Sequence, residues 1–188
     1  MSIDDSILSD ASNQLRIYHL GPGNVLQDYA YSVGSGRGGW SQGKLHELGI
    51  VLNPGSALAA IRIDRYLLRI YYQSKWLRIP LIDIMLTCCL NLVPESGFIQ
   101  ALWLNPENLN GSWIIGRIIA RAVKGSSIAA VVRSYSNGDA VYLYYQDLDL
   151  HIREKIWSPD EQVWVTGEHV LTPEVLEYGF NVELFRWA

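Results

Sequence analysis

Three pairs of polar residues recur in register along this 188-residue chain. Arg16 and Asp28 stand 12 apart, as do Tyr142 and Glu154, while Arg69 and Gln100 stand 31 apart, the same 12 plus 19 residues of an enlarged loop. A guanidinium is a planar fork of donors and a carboxylate is an acceptor, so such a pair on neighbouring strands can bracket the hydroxyls and ring oxygen of a neutral sugar. The same spacing suits a surface cross-strand ion pair, worth about 0.2–1 kcal/mol. Aromatic residues repeat with the pairs: Tyr31, Trp103 and Trp157 each follow the acid position by three, and Trp40, Trp113 and Trp164 each open a W-x-x-G line. Aromatic faces stack on the C–H side of pyranoses, and repeated tryptophans equally serve as core between packed sheets. Residue types alone leave both readings open.

The elements that must position these residues are short strands. LRIYHL at 15–20, LRIYYQ at 68–73 and VYLYYQ at 141–146 alternate apolar and polar residues, and each is followed by a second segment, VLQDYAY at 25–31, GFIQALW at 97–103 and HIREKIW at 151–157. The lines WSQG, WIIG and WVTG come next, and GSALAAIR and GSSIAAVVR precede the second and third units. Period-2 segments rich in Tyr, Ile, Val and Trp, punctuated by Gly, Asn, Asp and Pro, predict strands joined by turns. Four strands recurring about every 53 residues, from Tyr18 to Tyr71, predict an all-β chain of propeller blades. The step from Tyr71 to Tyr144 is 73, and the excess falls in one loop, the irregular insert near residues 74–96.

The succession of an IRVY-like strand, I-x-E, an aromatic, W-x-x-G and G-S-x-I-A-A, carried over roughly 15–170, resembles the fungal fucose-specific lectins of the Aleuria type and their shorter bacterial relatives. That resemblance implies a β-propeller of the six-bladed type, with three four-stranded blades in this chain, and L-fucose or a fucosylated glycan bound between adjacent blades without catalysis. It also implies the pockets. The first joins Arg16 and Asp28 to Trp103 and Trp113, the second Arg69 and Gln100 to Trp157 and Trp164, and the third Tyr142 and Glu154 to Tyr31 and Trp40. The third lacks an arginine and the second has a glutamine where a carboxylate is expected. The Arg16–Asp28 pair is expected near the surface, so that Arg16→Ala would weaken sugar binding while barely changing folding. Three units do not close a six-bladed ring, so two chains are expected to pair head to tail as a homodimer, forming the third pocket across their boundary. The competing reading is a degenerate propeller fragment acting as a protein-interaction module, and a glycosidase-like enzyme is the least favoured.

Composition bounds the alternatives. A net charge of −4 with 15 Lys and Arg forms no basic stripe, which argues against nucleic acid and anionic membrane as partners. The four histidines have no metal-ligand spacing, no G-x-S-x-G or H-E-x-x-H occurs, and no cofactor is expected. GSGRGG before Trp40 leads into a strand and lacks a following Lys-Ser or Lys-Thr, so it reads as a loop and not a phosphate cradle. Within the insert, the apolar run 81–93 falls short of the ~20 residues that span a bilayer. Its adjacent Cys88 and Cys89 read as buried free thiols. Residues 1–14 lack a cationic and apolar leader pattern and are expected to be a flexible lead. A cytoplasmic or unconventionally secreted protein is the expectation. The expected blades run about 15–52, 55–122 and 125–188, and the alternating tail FNVELFRW is expected to complete the first.

Overall fold

The structure, a computed structural model, describes residues 6–9, 15–32, 38–63, 68–74, 96–104 and 113–168. Among the described residues, twelve strands fall into three four-stranded antiparallel sheets, each a simple meander. Sheet one comprises β1 (Ser6–Ser9), β2 (Leu15–Leu20), β3 (Leu26–Ser32) and β4 (Gly39–Gln42). Sheet two comprises β5 (Leu58–Arg62), β6 (Leu68–Ser74), β7 (Ser96–Leu104) and β8 (Trp113–Val123). Sheet three comprises β9 (Ile128–Tyr135), β10 (Gly138–Gln146), β11 (Ile152–Ser158) and β12 (Val163–Thr166). The innermost strands β1, β5 and β9 lie side by side, β5 between the other two.

Sheet two is the middle layer. Its alternating residues feed two separate cores: Ile70, Tyr72, Leu102 and Trp113 pack with Tyr18, Leu26 and Leu45 of the first unit. Tyr71, Ile99 and Ala101 pack with Ile128, Val141, Leu143 and Tyr145 of the third. Both faces of β6 are therefore buried, whereas β4 is exposed throughout. Among the described residues, sheets one and three each bury one face against sheet two. On the uncovered side of sheet one Trp40 is 50% exposed, and on sheet three Val163 is 45% and Val165 38% exposed.

The G-S-x-I-A-A lines are the turns that lead into the innermost strands β5 and β9. Gly55 and Gly125 have φ of 78° and 77°, a backbone that glycine adopts without a Cβ penalty. Gln73, fully buried at the end of β6, stitches the second of these turns to sheet two: its Nε2 donates to the Val123 carbonyl at 2.6 Å and its Oε1 accepts from Gly125 N–H at 2.8 Å.

One expectation changes. The first sheet is completed by Ser6–Ser9, within the segment read as a lead, with Ile7 paired to Ile17 and Leu8 to Arg16. This strand gives β2 an antiparallel backbone partner, although four residues are too few to register as period-2 patterning. The tail expected to supply that strand, 169–188, lies outside the described residues, as does 75–95 of the insert with Cys88 and Cys89.

Replacing Gln73 with Leu leaves the part-buried Gly125 N–H without its partner and the Val123 carbonyl with the Ser126 N–H alone, which costs about 1–3 kcal/mol. Urea unfolding of the Gln73→Leu variant measures this directly, and a change below about 0.5 kcal/mol would show that the stitch does not hold the turn.

Candidate sugar-binding sites between the sheets

Strand pairing gives each sheet the same frame. Tyr18 lies opposite Asp28 in sheet one, Tyr71 opposite Ala101 in sheet two and Tyr144 opposite Glu154 in sheet three. Two residues before each tyrosine stand Arg16, Arg69 and Tyr142, on the same face because side chains alternate along a strand. On the fourth strand the W-x-x-G glycines complete the row. Gly43 N–H donates to the Asp28 carbonyl at 2.8 Å and Gly167 N–H to the Glu154 carbonyl at 3.0 Å. A Cβ on Gly43 would collide with the Asp28 carboxylate, and one on Gly167 with the Glu154 carboxylate. The glycine of W-x-x-G is thus the space into which the neighbouring acid folds.

In sheet one the pair is formed. Arg16 Nη1 donates to Asp28 Oδ2 at 3.0 Å, and Asp28 Oδ1 accepts from Leu45 N–H at 3.0 Å. The Arg16 side chain is 22% exposed and Asp28 is fully buried, so the arginine reaches the surface while its acid does not, against the exposed pair the sequence suggested. Asp28, with both oxygens engaged behind Gly43, positions Arg16 and the Leu45–Leu48 turn, while one of the guanidinium's five donors is spent on it. From sheet two Trp113 meets Tyr18 edge to face at 6.1 Å and 86°.

Between sheets two and three the same contact recurs. Tyr71 meets Trp164 at 5.9 Å and 89°, Trp164 lies 5.8 Å from Trp157, and the Arg69 guanidinium sits 5.3 Å over the Trp157 ring. Burial pushes the Tyr71 hydroxyl up to about 12, against the lowering by the Arg69 guanidinium beside it. Each edge-on aromatic pair adds about 0.5–1.5 kcal/mol beyond its buried area.

Two residues leave the sites expected for them. Gln100 does not join Arg69: it pairs with Tyr72, is 2% exposed, and accepts from the Tyr72 hydroxyl at 3.5 Å on the face toward sheet one. Trp103 does not join Arg16. It lies opposite Arg69 and packs into the core shared with sheet three. The frame places Ala101 at the acid position, 32 residues after Arg69 instead of 31, and Leu104 opposite Trp113, where the other sheets pair Tyr31 with Trp40 and Trp157 with Trp164. One residue of slip across the enlarged loop reverses the face of every side chain that follows. The recurring Tyr18, Tyr71 and Tyr144 were visible as the period, but their part in the sites was not.

The members of the third expected pocket stand at opposite ends. Tyr31 and Trp40, 5.3 Å apart, lie on the face of sheet one turned from sheet two, and Tyr142 and Glu154 on the corresponding far face of sheet three. Burial first, and the hydrogen bond to Glu154 second, raise the Tyr144 hydroxyl well above its usual range. Tyr142 shares a hydrogen bond of 2.8 Å with Tyr135. Asp147, Asp149 and His151 form a cluster of possible ligand atoms among the described residues, but Asp147 Oδ1 accepts the N–H groups of Asp149 and His151, both at 2.9 Å, and Oδ2 accepts from Arg153 at 2.6 Å. That carboxylate shapes the β10–β11 turn.

With this geometry in view, comparison with known proteins decides the likeness. A fucose-specific lectin of Aspergillus fumigatus is 27% identical over 151 residues, 77% of this chain and 39% of that protein. The chain resembles the fungal fucose-specific lectins. The lectin of Aleuria aurantia is 24% identical over 159 residues, 82% of the chain and 41% of that protein. The chain therefore spans about two fifths of the curated relatives it matches, and no family model matches it. Among solved structures, AofleA from Arthrobotrys oligospora superposes with a TM-score of 0.69 at 19% identity, covering 92% of the chain and 45% of its own. The Aleuria aurantia lectin, described as a six-bladed β-propeller, gives 0.62 at 19% identity, covering 92% and 47%. A fucose lectin from Kordia zhangzhouensis, in complex with methyl-fucoside, gives 0.55 at 17% identity, covering 88% of this chain and 99% of that one. These likenesses establish the propeller-type fold of the antiparallel sheets.

Because Asp28 is fully buried, Arg16→Ala leaves a carboxylate without its partner and lowers stability by about 1–3 kcal/mol, with Arg16→Lys recovering part of the loss. Chemical denaturation distinguishes this from a surface pair, for which the change would stay under about 0.5 kcal/mol.

Proposed function

We propose that the chain is a three-bladed portion of a six-bladed propeller that binds L-fucose or fucosylated glycans between adjacent blades and performs no catalysis. The observation that carries this reading is the first site, where the buried Asp28 holds Arg16 on the face it shares with Tyr18, and Tyr18 meets Trp113 of the next sheet edge-on. Arg16 offers a planar fork to vicinal hydroxyls, and an indole suits the apolar C–H and methyl face of a deoxy sugar. The names of the two curated relatives and the fucoside in the Kordia structure support the same ligand.

Two chains pair head to tail in this proposal and complete six blades. The support is physical: the uncovered faces of sheets one and three present Leu15 and Trp40 at one end and Val163 and Val165 at the other, large apolar residues that a closed ring would cover. The chain's match to 99% of the Kordia lectin is consistent with a unit of this size. Tyr31 and Trp40 of one copy would then face Tyr142 and Glu154 of the next, assembling the third pocket.

Calorimetric titration with methyl α-L-fucoside tests the ligand. A single such site binds at ~μM to mM, and Arg16→Lys, which keeps the charge and removes the fork, weakens it about tenfold. No heat from folded protein with fucosides would leave a protein-interaction module as the better reading. Light scattering at micromolar concentration tests the assembly: the expected mass is twice the 21.2 kDa of one chain, and a stable single-chain species would contradict the pairing.

A further inference from the structure

We propose that the site between sheets two and three takes a carboxylate-bearing pyranose, a uronic or sialic acid unit of a glycan, in place of neutral fucose. The inference rests on the reading of the inter-sheet sites as sugar sites and concerns how the second differs from the first.

In the first site the arginine's charge is matched within the protein, by Asp28. The second site keeps the arginine and loses the match. Ala101 occupies the acid position, and the space beside Gly116 is filled by the Trp103 ring, which a Cβ there would strike. Gln100, the nearest polar residue in sequence, is on the other face. Among the described residues no carboxylate pairs with Arg69, and its Nε is buried without a hydrogen bond. Its guanidinium lies over the Trp157 ring and beside the neutral Tyr71 hydroxyl, neither of which carries a balancing charge. A guanidinium held against indole faces attracts an anion strongly, because the apolar wall lowers the local dielectric and the fork matches a carboxylate with two parallel hydrogen bonds. A neutral sugar would leave that charge unanswered, whereas a ligand carboxylate supplies from outside what Asp28 supplies from within. Trp103, Trp157 and Trp164 offer stacking surface for the ring that carries it.

The test is titration of the intact chain with methyl glucuronide, its uncharged methyl ester, methyl sialoside and methyl α-L-fucoside. At low salt at least one of the two acidic glycosides is expected to bind at least tenfold more tightly than the uncharged ester, and Arg69→Met is expected to abolish that preference. Should Arg69→Met fail to fold, the wild-type preference is expected to shrink several-fold on raising the salt concentration, as an ion pair at a partly exposed site requires. Equal binding of acid and ester, or a preference that survives Arg69→Met or high salt, overturns the inference. Fucoside binding with no acidic glycoside bound overturns it and leaves the fucose reading standing. Failure of all four ligands to bind folded protein removes both.

Discussion

Asp28 has no exposed surface, and the geometry of the first site depends on how it is held. One oxygen accepts from Arg16 and the other from the Leu45 N–H, while Gly43 gives it room. A buried carboxylate is tolerated only when its acceptors are filled, so the arginine is fixed by the needs of the acid as much as by any ligand. The row that fixes them both, a tyrosine on the second strand, an acid on the third and a glycine on the fourth, recurs in sheet three with Tyr144, Glu154 and Gly167. In sheet two Tyr71 faces Ala101 at the acid position, the β7–β8 register shifts there, and an indole takes the volume beside Gly116. Site differences thus arise without any change of fold.

Burial is distributed to match. Sheet two is apolar on both faces and joins two cores, while its neighbours each bury one face. The edge-on Tyr18–Trp113 and Tyr71–Trp164 contacts repeat at both junctions with nearly the same distance and angle, so one packing device sets both inter-sheet spacings. A site formed at such a junction draws its arginine from one sheet and its indoles from the next, which couples ligand geometry to sheet packing.

Much of this was legible in the sequence. Alternation and turn residues marked eleven of the twelve strands, because strands half-buried against a neighbouring layer must alternate. The 12-residue spacing of Arg16 and Asp28 located a real pair, since the intervening hairpin is short and leaves one register. Across the long β6–β7 connection the same count failed by one residue, exchanging Gln100 for Ala101 and turning Trp103 to the other face. Nothing local corrects such a slip; only the W-x-x-G glycine, which must face the acid position, would have fixed it. The burial of Asp28 was equally hidden, because it depends on Leu45, 17 residues away on an irregular turn.

The central claim is that the first junction is a sugar site built on Arg16 and Trp113. The seven tryptophan indole N–H signals in a 1H–15N spectrum report on it during titration with methyl α-L-fucoside. The account predicts that the Trp113 signal, assigned by its loss in Trp113→Phe, moves along a saturable curve and that Arg16→Lys flattens that curve. An unmoved Trp113 signal at tens of millimolar fucoside, in a protein whose spectrum is that of a folded β structure, would contradict it.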